Sequence, residues 1–184
     1  MKTKFQLKIP KEVAFYYCTK SNLLLLKSHD KQKIIKLDVK LVYFKKSNVL
    51  IITDILISRM LKKKKSVQGS AFSLIKKSFL ELTTQLCKKL KLVGVGYRAS
   101  IIDKKKTQLL HLKLGYSHSI YYKVPSKVKI YVHKSTKLFI FGNSFELISK
   151  VGAFIRNYKI PELYKGKGIL YDNEIINLKV GKTT

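Results

Sequence analysis

The sequence predicts an α+β protein made of two similar, duplicated halves, each a small, mainly antiparallel sheet packed against one helix. Three observations lead there. VKLVYFKKSNVLIITD (39–54) aligns without gaps on VKIYVHKSTKLFIFGN (128–143). A helical pattern follows each copy, and a further pair of β-rich runs precedes each. The expected division is 1–87, with a helix at about 70–89, and 88–184, which carries a loop at 161–169 and a basic tail. The hand-over is expected between Thr84 and Lys91.

In chain order, NLLLLKSHDKQKIIKL (22–37) reads as two strands turning at His29–Lys31, and 39–54 as a second pair turning at Lys45–Asn48. ILISRMLKKKKSVQ (55–68) fits neither repeat, and its run Lys62–Lys65 predicts a loop, either solvated or facing RNA. GSAFSLIKKSFLELTTQLCKKL places Phe72, Ile75, Phe79, Leu82, Leu86 and Leu90 three or four apart, on one helical stripe. YRASIIDKKKTQLLHLKL (97–114) turns at Asp103–Lys106, and 128–143 turns at Lys134–Lys137. In NSFELISKVGAFIRNYK, Asn143 and Glu146 have the spacing of a helix cap, Leu147, Val151, Phe154 and Ile155 form the stripe, and Pro161 ends the helix.

Composition points to a polyanionic partner. The chain has 184 residues, 39 basic against 10 acidic, and a net charge of +29. Such a charge repels itself in a compact body unless counter-charge is supplied, and nucleic acid is the expected source. The longest apolar run, VLIITDILI, is broken by Asp54 and falls short of the roughly 18 residues that cross a bilayer, so no membrane span is expected. MKTKFQLKIPKEV resembles neither a secretory signal nor a transit peptide. Cys18 and Cys87, far apart and without a CxxC pair, are expected to be reduced and buried. The basic residues are 36 Lys and 3 Arg, which supplies point charges rather than planar forks.

LVGVGYRAS (92–100) contains Gly94-x-Gly96-x-x-Ala99, the minimal pattern of a dinucleotide-binding turn. That turn needs a helix to follow it and an acidic residue about 20 positions on. The following segment reads as strand, turn and strand, and no Asp or Glu lies between Asp103 and Glu146. Gly94 and Gly96 are therefore expected in a strand, at a bulge or a close backbone approach. Gly181-Lys182-Thr183 lacks the earlier glycine of a phosphate loop, because Ile176 stands there. His29, His111, His118 and His133 show no metal-ligand spacing, and the one close carboxylate pair, Asp172 and Glu174, sits beside Lys in a segment read as irregular. No enzyme, cofactor, metal or small-molecule substrate is expected.

PELYKGKGI (161–169) is the segment read as functional. Gly166 and Gly168 allow the backbone to lie against a phosphodiester chain, Lys165 and Lys167 supply charge, and Tyr164 offers a stacking ring. LVGVGYRA, LKLGYSHS and PELYKGKGI, in this order and at these separations, resemble the C-terminal half of the large-subunit ribosomal protein six family in its bacterial and organellar form. The likeness is close from about Lys88 to Tyr171 and weaker before it. It implies two α+β halves related by duplication. It also implies binding to large-subunit ribosomal RNA near the factor-binding region, by the sarcin-ricin loop and the stalk base. Carried over by motif, the contacts are Tyr164, Lys165, Gly166, Lys167 and Gly168, with Arg98 and His118 from the preceding motifs and Arg156 and Lys159 as the remaining charges of their stretch.

Ser119 stands where the family usually has Pro, and Asn157 and Ile160 lie where it is usually richer in Arg and Pro. The resemblance implies large-subunit RNA, neighbouring large-subunit proteins and nearby translation factors as partners. Together with the excess of Lys over Arg, it suggests a chain encoded in a mitochondrion, with a plastid or an AT-rich bacterium as alternatives. The competing readings are a free RNA-binding or chaperone-like module, a nucleotide-dependent enzyme and a peripheral membrane protein.

Overall fold

The computed structural model describes residues 5–29, 31–45, 47–56, 64–104 and 107–181. It divides the chain into two units, Met1–Thr84 and Gln85–Thr184. The first contains β1 (Gln6–Lys8), β2 (Ala14–Cys18), β3 (Leu23–Lys27), β4 (Gln32–Lys36), β5 (Val39–Phe44), β6 (Val49–Leu56) and α1 (Lys64–Thr83). Its strands form two antiparallel sheets in the orders β1-β6-β5 and β2-β3-β4. The second contains β7 (Leu86–Val93), β8 (Arg98–Lys104), β9 (Thr107–Lys113), β10 (Ile120–Lys123), β11 (Val128–His133), β12 (Lys137–Gly142), α2 (Phe145–Asn157) and β13 (Gly168–Tyr171). Its sheets run β10-β9-β8 and β11-β12-β7-β13, again antiparallel throughout.

The duplication is visible strand by strand. β7 holds the place of β1, β8 to β10 that of β2 to β4, and the hairpin β11-β12 that of β5-β6, with one helix after each hairpin. β13 is the addition of the second unit, lying on the free side of β7. Alternation decides the faces. In LLLLK, Leu24 and Leu26 are buried and Leu23 and Leu25 point the other way, a choice that four consecutive leucines leave open. Leu24, Leu26, Leu50 and Ile52 meet Ala71, Ile75, Phe79 and Leu82 of α1 in one core. Leu90, Leu92, Leu110, Leu112, Ile130 and Ile140 meet Ile148, Val151 and Ile155 of α2 in the other. In α1 the buried Glu81 carboxylate pairs with the Lys33 ammonium, and Gln68 Nε2 donates to the Thr53 carbonyl at 3.0 Å.

Several expectations need correction. The first helix runs over Lys64–Thr83, not 70–89, and Leu86 and Leu90 belong to β7. Residues four apart share a face in a helix and also in a strand, so their spacing fits both. Pairing of β7 with β12 and β13 makes this segment a strand. The loop expected at 55–68 is β6 up to Leu56 and α1 from Lys64, and 57–63 lie outside the described residues. Asn143 does not cap α2: Ser144 is the N-cap residue, its side chain makes no capping bond, and its carbonyl accepts from the Ile148 N–H at 3.1 Å. Within α2, Ile148 and Gly152 are buried and Phe154 is exposed, so the inward stripe is rotated from the expected one.

Cys18 and Cys87 are free thiols as expected, but both are exposed rather than buried. Each occupies an outward position of its strand, opposite Leu23 and Phe141 respectively. The hairpin turns at 134–137 and at 45–48, where Lys46 lies outside the described residues, are where the repeat puts them, with positive φ at Asn48, Lys134 and Ser135. The second turn is held from outside: the Ser135 carbonyl accepts from the Ala99 N–H at 2.7 Å and the Thr136 carbonyl from the Leu92 N–H at 2.8 Å. In the turn expected at 103–106, residues 105–106 lie outside the described ones, as do Asp30 in the turn at 29–31 and Lys182 in the basic tail.

Candidate nucleic-acid interface

Gly94 and Gly96 lie not inside a strand but in the connection from β7 to β8, with φ of 153° and 75°. No helix follows them, because the chain enters β8. The reason for Gly94 is the Tyr97 ring: a Cβ at Gly94 would stand 2.8 Å from it, and a Cβ at Gly115 would stand 3.2 Å from its other side. Glycines of the first and second motifs thus grip one aromatic ring, which is only 8% exposed.

Tyr116, next to Gly115, reaches the segment just before the third motif. Its hydroxyl donates to the Tyr158 carbonyl at 3.0 Å, and the Lys159 ammonium lies 4.2 Å from the centre of its ring. The exposed His118 ring stacks on Tyr116 at 5.9 Å and 19°. These contacts enclose an open cleft of about 490 Å³ lined by Tyr97, Tyr116, Tyr158, Lys159, Glu162 and Lys167. Three segments separated in sequence therefore share one surface, with ammonium groups next to aromatic faces.

The loop that follows is closed by its own backbone. The Glu162 N–H donates to the Lys167 carbonyl and the Gly166 N–H to the Glu162 carbonyl, both at 3.0 Å. Tyr164, 56% exposed, and the exposed Lys165 stand at its tip. Gly166 has a φ of 66°, which favours glycine. Gly168 behaves differently: it is buried, and a Cβ there would lie 2.6 Å from the Cα of Pro161. Its small size serves packing of β13 inside the protein rather than an approach by a ligand.

Arg156, half-buried, is also engaged within the protein. Its guanidinium donates to both oxygens of Glu174, from Nε at 3.2 Å and from Nη2 at 2.5 Å, and Glu174 Oε2 also accepts from the Tyr171 N–H at 3.1 Å. The fork from Arg156, and then the Tyr171 amide, hold the Glu174 carboxyl below the usual carboxylate range, while the same bond raises the Arg156 value. Arg98 is exposed at the start of β8, opposite Lys113. Lys91 bridges to Asp172 at 2.6 Å, and hydrogen bonding to it lowers the Asp172 carboxyl, with Lys89 and Lys137 adding to the effect. The residues that sequence reasoning did not single out are Tyr97, Tyr116, Tyr158 and Glu162, and the pairing of Glu174 with Arg156 was not foreseen. A Gly-Tyr pair in each of the first two motifs was the available signal.

Among the described residues no three His, Cys, Asp or Glu side chains gather as a metal site, and no helix is long and apolar enough to cross a membrane. Fold and surface together define a lysine-rich α+β protein of two like units, whose second unit joins three glycine-containing motifs around an aromatic and lysine cleft. The sequence pattern of the family described as ribosomal protein L6 matches residues 93–172. The chain is 43% identical over 118 residues to a large ribosomal subunit protein uL6 of Chloroherpeton thalassium, covering 64% of each. It is 42% identical over 123 residues to that of Mycoplasma pneumoniae, covering 67% of this chain and 65% of the relative. It is 40% identical over 116 residues to a large ribosomal subunit protein uL6m of Prototheca wickerhamii, covering 59% of this chain and 60% of the relative. Over this stretch the chain is similar to the ribosomal protein L6 family, and the relatives that it matches are named as large ribosomal subunit proteins. The matched stretch spans just under two thirds of the length of these relatives.

Proposed function

We propose that the chain is a structural constituent of the large ribosomal subunit, binding its RNA near the factor-binding region, by the sarcin-ricin loop and the stalk base. The observation that carries this reading is the convergence of the three motifs on one surface, where Lys159 and Lys167 sit among tyrosine rings beside a loop presenting Tyr164 and Lys165. Ammonium groups neutralise crowded phosphates, and exposed rings take sugars or splayed bases, so the protein fixes RNA geometry and performs no bond chemistry. Lys165, Lys167, Lys159, Tyr164, Arg98 and His118 contact RNA directly. Gly166 shapes the loop. Gly168 and Arg156 act through it, the first by seating β13 under Pro161 and the second by fixing Glu174.

Neighbouring large-subunit proteins adjoin the chain, and translation factors work nearby. The compartment proposed is the mitochondrion, supported by the lysine excess and by the mitochondrial-type name of the Prototheca wickerhamii relative. The test is crosslinking of the tagged chain in salt-washed, gradient-sedimented lysate. Sedimentation with the large subunit, with crosslinks from 156–168 to the factor-binding region of its RNA, supports the proposal. A chain found only at the top of the gradient, with scattered crosslinks, replaces it with a free RNA-binding module.

A further inference from the structure

The four-stranded sheet of the second unit has two unlike faces. One is covered by α2 and buries Leu90, Ile130, Leu138 and Ile140. The other carries a ladder fixed by register: Tyr131 beside Phe139 beside Lys89, then Lys129 beside Phe141 beside Cys87, then His133 beside Lys137 beside Lys91. The rings are in mutual contact. Phe139 and Phe141 lie 6.5 Å apart at 15°, Tyr131 meets Phe141 edge-on at 5.6 Å, and the Lys89 ammonium is 5.7 Å from the Phe139 ring centre. Tyr131 is 56% exposed, and Phe139 and Phe141 are half-buried.

A single exposed aromatic needs no explanation, but three in contact, inside a frame of lysines, do. A hydrophobic protein partner would have to bury Lys89, Lys129 and Lys137 with the rings, at a desolvation cost that only matched anions would offset. None of the four strands contains Asp or Glu. Asp172, just past β13, pairs with Lys91 and also acts electrostatically on Lys89 and Lys137, so a single carboxylate stands against the four lysines of this face. Flat apolar rings at strand spacing with ammonium groups between them match one ligand chemistry: unpaired bases that stack, joined by phosphates.

We infer that this open face, Tyr131, Phe139 and Phe141 with Lys89, Lys129 and Lys137, is a second RNA surface that binds a single-stranded segment by stacking. It shares no residue with the 161–168 loop. Duplex RNA hides its base faces, so the surface selects unpaired stretches.

The test uses the purified full chain and a fluorescein-labelled ten-nucleotide oligouridylate, followed by anisotropy over a salt series. The variant Tyr131→Thr/Phe139→Thr/Phe141→Thr keeps every charge and residues suited to strands. Its affinity is expected to fall at least about tenfold, since base–ring stacking is worth roughly 1–3 kcal/mol per base, with an unchanged salt slope. Equal affinity of variant and wild type overturns the inference. So does loss of binding in Lys165→Ala/Lys167→Ala but not in the ring variant. Photocrosslinking of wild type to a 4-thiouridine oligonucleotide guards against misfolding of the variant. Adducts within 129–141 support the surface, and adducts confined elsewhere, or no binding of the probe, refute it and leave a protein as the occupant. The probe is offered to the isolated chain, so failure to enter a ribosomal particle would remove the proposed function without touching this result.

Discussion

Replacing Gly168 by Ala should both destabilise the second unit and disturb the loop beside it. Gly168 opens β13, pairs with Val93, and has a φ of 156°. A Cβ would stand 2.6 Å from Pro161 Cα, 2.8 Å from Pro161 N and 3.0 Å from the Ile160 carbonyl carbon. All three are backbone atoms, so no rotamer change relieves the clash. Either residues 160–161 move, straining the bond from the Ile169 N–H to the Lys159 carbonyl, 2.9 Å long, or β13 separates from β7. Overpacking costs about 1–3 kcal/mol, and an L residue in this backbone region costs about as much again. A total of ~3 kcal/mol corresponds to a fall in Tm on the order of 10 °C or more for a unit of this size. Differential scanning calorimetry of wild type, Gly168→Ala and Gly181→Ala reads it, the last being a control with nothing within 4 Å of the added carbon. If Gly168→Ala melted within ~2 °C of both, a shift well under 1 kcal/mol, the assigned packing of β13 against Pro161 would be wrong.

Gly69→Ala, inside α1 with open space around the new methyl, should instead raise stability by up to ~1 kcal/mol, seen as a higher denaturant midpoint. Glu174→Gln tests the ion pair with Arg156 through pH. Because the folded-state value of Glu174 is lowered, its contribution is complete above the unfolded value of about 4.3 and is lost as pH falls through the folded value. Urea midpoints of wild type should therefore fall in acid more steeply than those of Glu174→Gln, and parallel curves would contradict the pairing. Lys165→Ala/Lys167→Ala should weaken binding to a large-subunit RNA fragment and flatten its dependence on log salt by roughly one to two units. An unchanged slope in filter binding would remove these lysines from the phosphate contacts.

The extent to which structure was legible in sequence follows from the range of each interaction. The hairpin of 39–54 and its copy at 128–143 were legible because alternation and turn chemistry are local, and the structure shows them as β5-β6 and β11-β12. The end of α1 was not. Leu82, Leu86 and Leu90 fit a helix and a strand equally, and only β12 and β13 alongside β7 distinguish them. The α2 stripe was misread by part of a turn, since which of Leu147, Ile148, Phe154 and Ile155 faces inward depends on the sheet beneath.

The candidate site divides in the same way. The glycine, lysine and tyrosine motifs could be found in sequence, but not what each glycine meets. Gly94 and Gly115 accommodate Tyr97, and Gly168 accommodates Pro161, approaches that the folded backbone sets and the order of residues does not. Arg156 read as a free cation because Glu174, its partner, lies 18 residues away beyond an intervening strand. Sequence by itself determined the α+β class, the duplication, the charge of +29 and the family resemblance, all properties of local pattern and composition. Tertiary structure alone decided which cations remain free and which rings share a face, because both depend on contacts between residues distant along the chain.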